Sequence, residues 1–185
     1  MIIEEIRIQN FKALKDVHLK DLPAMAVFIG ENGSGKSTLF HVFSFLRDCL
    51  RKDVRFALER EGGPRGFREV ITRGVALTEN IRIEIKFQKE IAGASRLVGY
   101  ALEIGLVGNK PVVMRETLGY SLNPSDGTVP LIDFSLGKGN VINNEKEILD
   151  SNPELDIQAQ SIASDTLALA SLGLLERFQT AKEVR

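Results

Sequence analysis

Glycines at positions 30, 33 and 35 run directly into Lys36-Ser37-Thr38, and no other stretch of this 185-residue chain restricts its folding so closely. Glycine at this spacing lets the backbone wrap tightly and turn its N–H groups inward around an anion. The string fits G-x-x-x-x-G-K-[ST] through Gly30, Gly35, Lys36 and Ser37, which is the pattern of a phosphate-binding P-loop, or Walker A loop. In such a loop Lys36 can place its ammonium on β- and γ-phosphates, and the Ser37 hydroxyl can coordinate Mg²⁺. The flanks agree. Residues 25–29, Met-Ala-Val-Phe-Ile, are a short apolar run that reads as a buried strand. Residues 37–51 read as a helix with Leu39, Phe40, Val42, Phe43, Leu46, Cys49 and Leu50 as its apolar positions. Its positive N-terminal end would face the anion.

The wording of the loop, Glu31-Asn32-Gly33-Ser34-Gly35-Lys36-Ser37-Thr38, resembles that of the ABC-type ATPases of the SMC, RecF and OLD group. The opening of the chain is similar to that group as well. Ile6-Arg7-Ile8-Gln9-Asn10-Phe11-Lys12 looks like its first strand, which ends in an Asn-Phe-(Lys/Arg) signature, and Asp16-Val17-His18-Leu19 would complete a hairpin. The resemblance is specific over residues 1–50 and thinner to residue 107. It implies ATP and Mg²⁺ as ligands. Gly30, Gly33, Ser34 and Gly35 would line the phosphates. Lys36 would hold the β- and γ-phosphates and serve the chemistry, and Ser37 would bind Mg²⁺. Thr38 would bond the α-phosphate, Asn32 would sit near the γ-phosphate, and Lys12 would lie close to the nucleotide. It also implies a head-to-head homodimer in the intact protein, with ATP sandwiched between the P-loop of one head and the signature motif of the other.

Composition suits a globular domain, with 43% hydrophobic and 26% charged residues. Twenty-four basic and twenty-five acidic residues nearly cancel, so overall charge does not argue for nucleic acid. The single cysteine, Cys49, excludes an intrachain disulfide framework and points to a reducing, cytoplasmic setting. Its place among the apolar helix positions reads as a buried thiol. The first residues lack the basic and apolar regions of a signal peptide. No apolar run approaches the roughly 20 residues that span a bilayer, so no membrane is expected.

Beyond the helix, residues 51–73 hold seven basic and four acidic residues around Gly62-Gly63-Pro64-Arg65-Gly66. This reads as a loop, tightly turned at its glycines. A DNA-facing surface is one use for such a region, but the aromatic platforms and dense basic runs of a nucleic-acid reader are missing, and a solvated mixed-charge linker fits better. From residue 81 the chain turns to strands. Ile81, Ile83, Ile85 and Phe87 alternate with charged residues, residues 97–107 and 112–122 follow, and shorter strands at 131–134 and 141–142 flank a turn at 137–140. Turns at 108–111 and 124–127 imply an antiparallel meander. Glu116 falls on the apolar side of its strand and receives no function. Residues 157–175 read as helix, with a second helix over 174–183.

Other motifs are missing. A Walker B strand would carry apolar residues, then Asp and Glu. The nearest string, Val129-Pro130-Leu131-Ile132-Asp133-Phe134, has a proline that suits an edge strand and Phe134 where Glu belongs. Asp133 is therefore a poor candidate. Ala170-Ser171-Leu172-Gly173 imitates the signature Leu-Ser-Gly-Gly badly. Gln158 and Gln160 are possible Q-loop glutamines, although a polar helix start explains them more simply. Asn109-Lys110-Pro111-Val112 lacks the Asp of a guanine reader, and the run of strands is unlike the strand–helix alternation expected of a small-molecule kinase or an AAA+ motor.

The expected fold is therefore α/β with α+β character: an ABC-type first lobe with an antiparallel β-subdomain and C-terminal helices. Its parts are a P-loop ATPase lobe over 1–150 (hairpin, loop and helix to 50, basic loop region 51–80, β-subdomain 81–150) and a helical segment over 151–185. The expected function is Mg-ATP binding by the N-terminal lobe of a longer ATPase in DNA repair, maintenance or defence, with little turnover by this chain. The alternative is a non-hydrolysing, nucleotide-regulated interaction module.

Overall fold

The structure, a computed structural model, describes residues 2–91, 94–121, 128–142 and 156–172. The turn expected at 124–127 and the helix expected over 174–183 lie outside them. Eight strands form one sheet: β1 (Ile2–Phe11), β2 (Leu14–Leu19), β3 (Ile81–Ile91), β4 (Ala94–Val107), β5 (Lys110–Ser121), β6 (Thr128–Ser135), β7 (Lys138–Ile142) and β8 (Ile157–Ser161). Their order is β2-β1-β3-β4-β5-β6-β7-β8, and every pairing is antiparallel. Among the described residues four α-helices accompany it: α1 (Lys36–Arg51), α2 (Val54–Gly62), α3 (Phe67–Val70) and α4 (Ala168–Leu172).

Side-chain alternation explains the sheet's two faces. On one, Ile8 meets Ile83, which meets Leu102, and Ile6 meets Ile85, then Tyr100, Leu118, Ile132 and Val141. These rows are buried, together with Val42, Phe45, Leu46 and Cys49 of α1. The opposite face carries ion pairs: Arg7–Asp16, Lys86–Glu5, Arg82–Glu103 and Arg115–Asp133. Exposed pairs of this kind contribute about 0–1 kcal/mol each, so the apolar rows dominate. Cys49 is buried, and burial pushes its thiol up, as suits a structural residue.

Several expectations need correction. Residues 25–29 form no strand: Met25 is 83% and Ile29 91% exposed, and no strand of the described chain flanks them. Without that strand the fold is α+β, and its sheet wholly antiparallel. Phe40 and Phe43 of α1 also face outward, while Phe45 takes a core position against Phe11 at 5.4 Å between ring centroids. The stretch read as a basic loop over 51–80 contains α2 and α3. Asp53 starts α2 by accepting the Phe56 N–H at 2.7 Å, and Val54, Ala57 and Leu58 bury its inner face. Replacing Asp53 with Ala should cost about 1 kcal/mol in urea unfolding; no change would mean the cap is idle.

Residues 157–161, read as helix, form edge strand β8, because their backbone pairs with β7 from Lys138↔Ser161 to Ile142↔Ile157. Pairing partners distant in sequence overrode a weak helical propensity. Over the described part of that stretch, residues 157–172, helix appears at α4. Pro130 does not mark an edge strand, since β6 pairs on both sides. It sits at a register shift opposite Gly119, in a part of β6 that β7 does not cover. The turn near 137 is tighter than expected. Leu136 and Gly137, both at positive φ, link β6 to β7 directly.

Candidate functional site

The phosphate-loop residues gather at the N-terminus of α1. Gly33 (φ 84°) and Gly35 (φ 93°) take left-handed conformations that a side chain would strain. Gly35 caps α1 without a side-chain hydrogen bond, so the first-turn N–H groups have no side-chain acceptor there. The first turn has no acidic residue. A Cβ placed on Gly30 would lie 3.1 Å from Ser34 Oγ and 3.8 Å from Lys36 Nζ, filling the cradle that the missing side chain leaves open. Inside this cradle the Lys36 ammonium donates to the carbonyls of Gly30 and Glu31, both at 2.6 Å, and to Ser34 Oγ at 3.1 Å. Asn32 lies on the exposed part of the loop, and Ser37 and Thr38 open the helix. The arrangement places one cation, held on backbone carbonyls, beside a helix N-terminus whose positive end favours anions.

Lys12 does not touch the loop. It lies in the two-residue turn between β1 and β2, where Phe11 pairs with Leu14. Its backbone N–H bonds Val70 O at 2.6 Å, and its ammonium reaches Glu61 Oε2 at 2.5 Å. The turn nonetheless flanks the loop, since Leu14 Cδ2 lies 3.0 Å from where a Gly35 Cβ would be. The Asn-Phe-Lys signature has a structural reading here. Asn10, at φ 61°, donates to Asn80 O at 2.9 Å, Phe11 is fully buried, and Lys12 turns away at φ 50°.

Three candidates fall elsewhere. Asp133 sits on the exposed face of β6, paired with Arg115 at 3.1 Å. Gln158 and Gln160 lie on β8, at the opposite edge of the sheet from β2. The basic stretch is neutralised in part: Arg55 pairs with Glu59, Arg60 with Asp48 and Arg65 with Glu69. Arg55, Arg65, Arg68 and Lys110 still line a cleft of about 630 Å³ beside the β4–β5 turn, alongside Glu59 and Asp165.

Two carboxylates escaped sequence reasoning as parts of the architecture. Burial raises the Glu61 carboxyl, but the Lys12 ammonium and the His41 ring more than offset this and hold it below its usual range. Nothing in sequence signals that residues 49 positions apart would meet. Glu116, 1% exposed, accepts the N–H groups of Ala168 and Leu169 and the Tyr100 hydroxyl. Its place in an apolar row was the available signal.

Residues 1–168 match the family described as AAA ATPase domain, and the chain belongs to that family and to the SMC/RecF/OLD-like group of ABC-type ATPases. Its meander is not the alternation of strands and helices expected of an AAA+ motor. Among its relatives is the DNA double-strand break repair Rad50 ATPase of Methanocaldococcus jannaschii, 33% identical over 88 residues. That match covers 48% of this chain and 7% of the relative's length. No helix among the described residues is long and apolar enough to cross a membrane.

Proposed function

We propose that this chain binds Mg-ATP through residues 30–38, as one lobe of an ATPase that acts in DNA repair, maintenance or defence. The observation that carries the reading is the Lys36 ammonium held within the glycine cradle at the head of α1. Lys36 would exchange its carbonyl partners for β- and γ-phosphate oxygens. Backbone N–H groups of residues 33–38 would orient the phosphates, with the Thr38 hydroxyl on the α-phosphate and Asn32 beside the γ-phosphate. Ser37 would supply the protein's oxygen to Mg²⁺, which when bound adds positive charge against the phosphate oxygens. Lys12 would add a second cation from the flanking turn.

The bare apolar segment at 25–29 supports a wider assembly, in which strands outside this chain pair with it and bring the Walker B carboxylates. A head-to-head homodimer sandwiching ATP, a DNA partner and a cytoplasmic setting belong to the same reading. The DNA element rests on the relative's printed role. The position of Asp133, exposed and ion-paired, favours binding without turnover by this chain alone, which is also what a nucleotide-regulated interaction module would show.

Calorimetric titration with Mg-ATP tests the reading. One-to-one binding with negligible phosphate release is expected. Absence of binding in a folded chain would sink the assignment.

A further inference from the structure

Glu61 lies in the last turn of α2, at a position its surroundings fix. The next residue, Gly62, packs so closely that an added Cβ would meet Val70 Cγ2 at 3.0 Å and Glu69 Cβ at 3.1 Å. The Glu61 side chain is 12% exposed. A single oxygen, Oε2, receives both the Lys12 ammonium at 2.5 Å and His41 Nδ1 at 3.3 Å. His41 belongs to α1, the helix that the phosphate loop starts, so the carboxylate bridges the β1–β2 turn to that helix.

The Lys12 turn is anchored on both sides. Its backbone N–H is tied to Val70 O, Phe11 bridges Ile71, and Leu14 abuts Gly35 at the loop. The turn therefore stays put, and a change of partner would need only the lysine side chain to leave Glu61. The two loop-side cations differ in what holds them. Lys36 is held by neutral carbonyls, which release an ammonium to a phosphate readily. Lys12 is held by a shielded, charged carboxylate, which competes with phosphate on equal chemical terms.

We propose that Glu61 is an internal competitor for Lys12, an anion built into the lobe that sets how tightly the loop holds a nucleoside triphosphate. This rests on the Mg-ATP reading above. A phosphate that recruits Lys12 must first take it from Glu61, so the apparent affinity falls by the fraction of time that Lys12 is free.

The test is a cycle of four full chains: wild type, Glu61→Gln, Lys12→Ala and the double variant. Each is titrated with Mg-ATP and with Mg-tripolyphosphate, after a thermal melt shows it folded. Glu61→Gln keeps the shape and a hydrogen-bond acceptor but removes the charge. It should tighten both ligands about 3- to 10-fold. Lys12→Ala should weaken them, and Glu61→Gln should add nothing in the Lys12→Ala background. A purely structural Glu61 would give the same change with or without Lys12. If Glu61→Gln does not fold, Glu61→Asp, which draws the carboxylate back by one methylene, should shift affinity in the same direction by less. Weaker or unchanged binding in the Glu61 variant overturns the competition alone. Absence of binding in every folded chain overturns the nucleotide reading and the competition with it.

Discussion

Lys36→Met should weaken Mg-ATP binding at least about 30-fold while leaving the protein's melting behaviour almost unchanged. Both halves follow from geometry. The ammonium sits within the cradle, on the Gly30 and Glu31 carbonyls, where phosphate oxygens would take their place. Removing one charged partner from such a contact costs about 2 kcal/mol or more, and each 1.4 kcal/mol is tenfold in affinity. Methionine keeps the length and loses the charge. The carbonyls it abandons belong to an exposed loop, so water replaces the lost bonds and stability should move by no more than about 0.5 kcal/mol. Calorimetry paired with a thermal melt checks this. Undiminished binding would place the nucleotide elsewhere, and a large loss of stability would make the lysine a structural strut.

Glu116→Ala should lower stability by about 2–4 kcal/mol near pH ~6, read by urea unfolding. The substitution strips the acceptor from the Ala168 and Leu169 N–H groups and from the Tyr100 hydroxyl, all within the core, and leaves a hole beside them. The pH dependence has a definite sign. Burial pushes the Glu116 carboxyl from 4.5 up to about 7, against the three donors that favour its ionised form. The titratable groups beside it, Tyr100 and Cys49, are themselves pushed up by burial and so stay neutral, leaving the carboxyl without a charged partner there. Between these two values the folded chain holds the proton and the unfolded chain has released it. Glu116's contribution is therefore fully present below about 4.5 and lost as pH rises through about 7. Glu116→Gln, which cannot titrate, should flatten that slope. An unchanged slope would show that other groups carry it.

The parts that were legible in sequence share one property: their signals are local. The loop glycines, the alternation of Ile81, Ile83 and Ile85, and the turn between β4 and β5 are written within a few residues of where they act. The failures share the opposite property. Residues 157–161 look helical alone and become β8 because β7 offers them an edge. Residues 25–29 look like a core strand and lie mostly exposed, since no described strand pairs with them and Phe28 has only an edge-to-face contact with the outward-facing Phe40, at 6.3 Å between ring centroids. Phe43 and Phe45 are nearly equivalent by composition, and only the position of Phe11 decides which one is covered. At the site the same division holds. The glycine turn ahead of α1 could be read directly, whereas the Lys12–Glu61–His41 cluster depends on three elements meeting.

The order of strands has a consequence for how the molecule assembles. From β3 to β8 each strand pairs with the next in the chain, so hairpins can zip in sequence with little loop entropy to overcome. The junction between β1 and β3 is different, because it closes over residues 20–80, the stretch that carries the phosphate loop and three helices. That long-range closure is the slow, entropically costly step. It makes formation of the loop's surroundings a late event, completed after most of the sheet already exists. A ligand that grips the loop would therefore act mainly as a brake on unfolding rather than as a spur to folding.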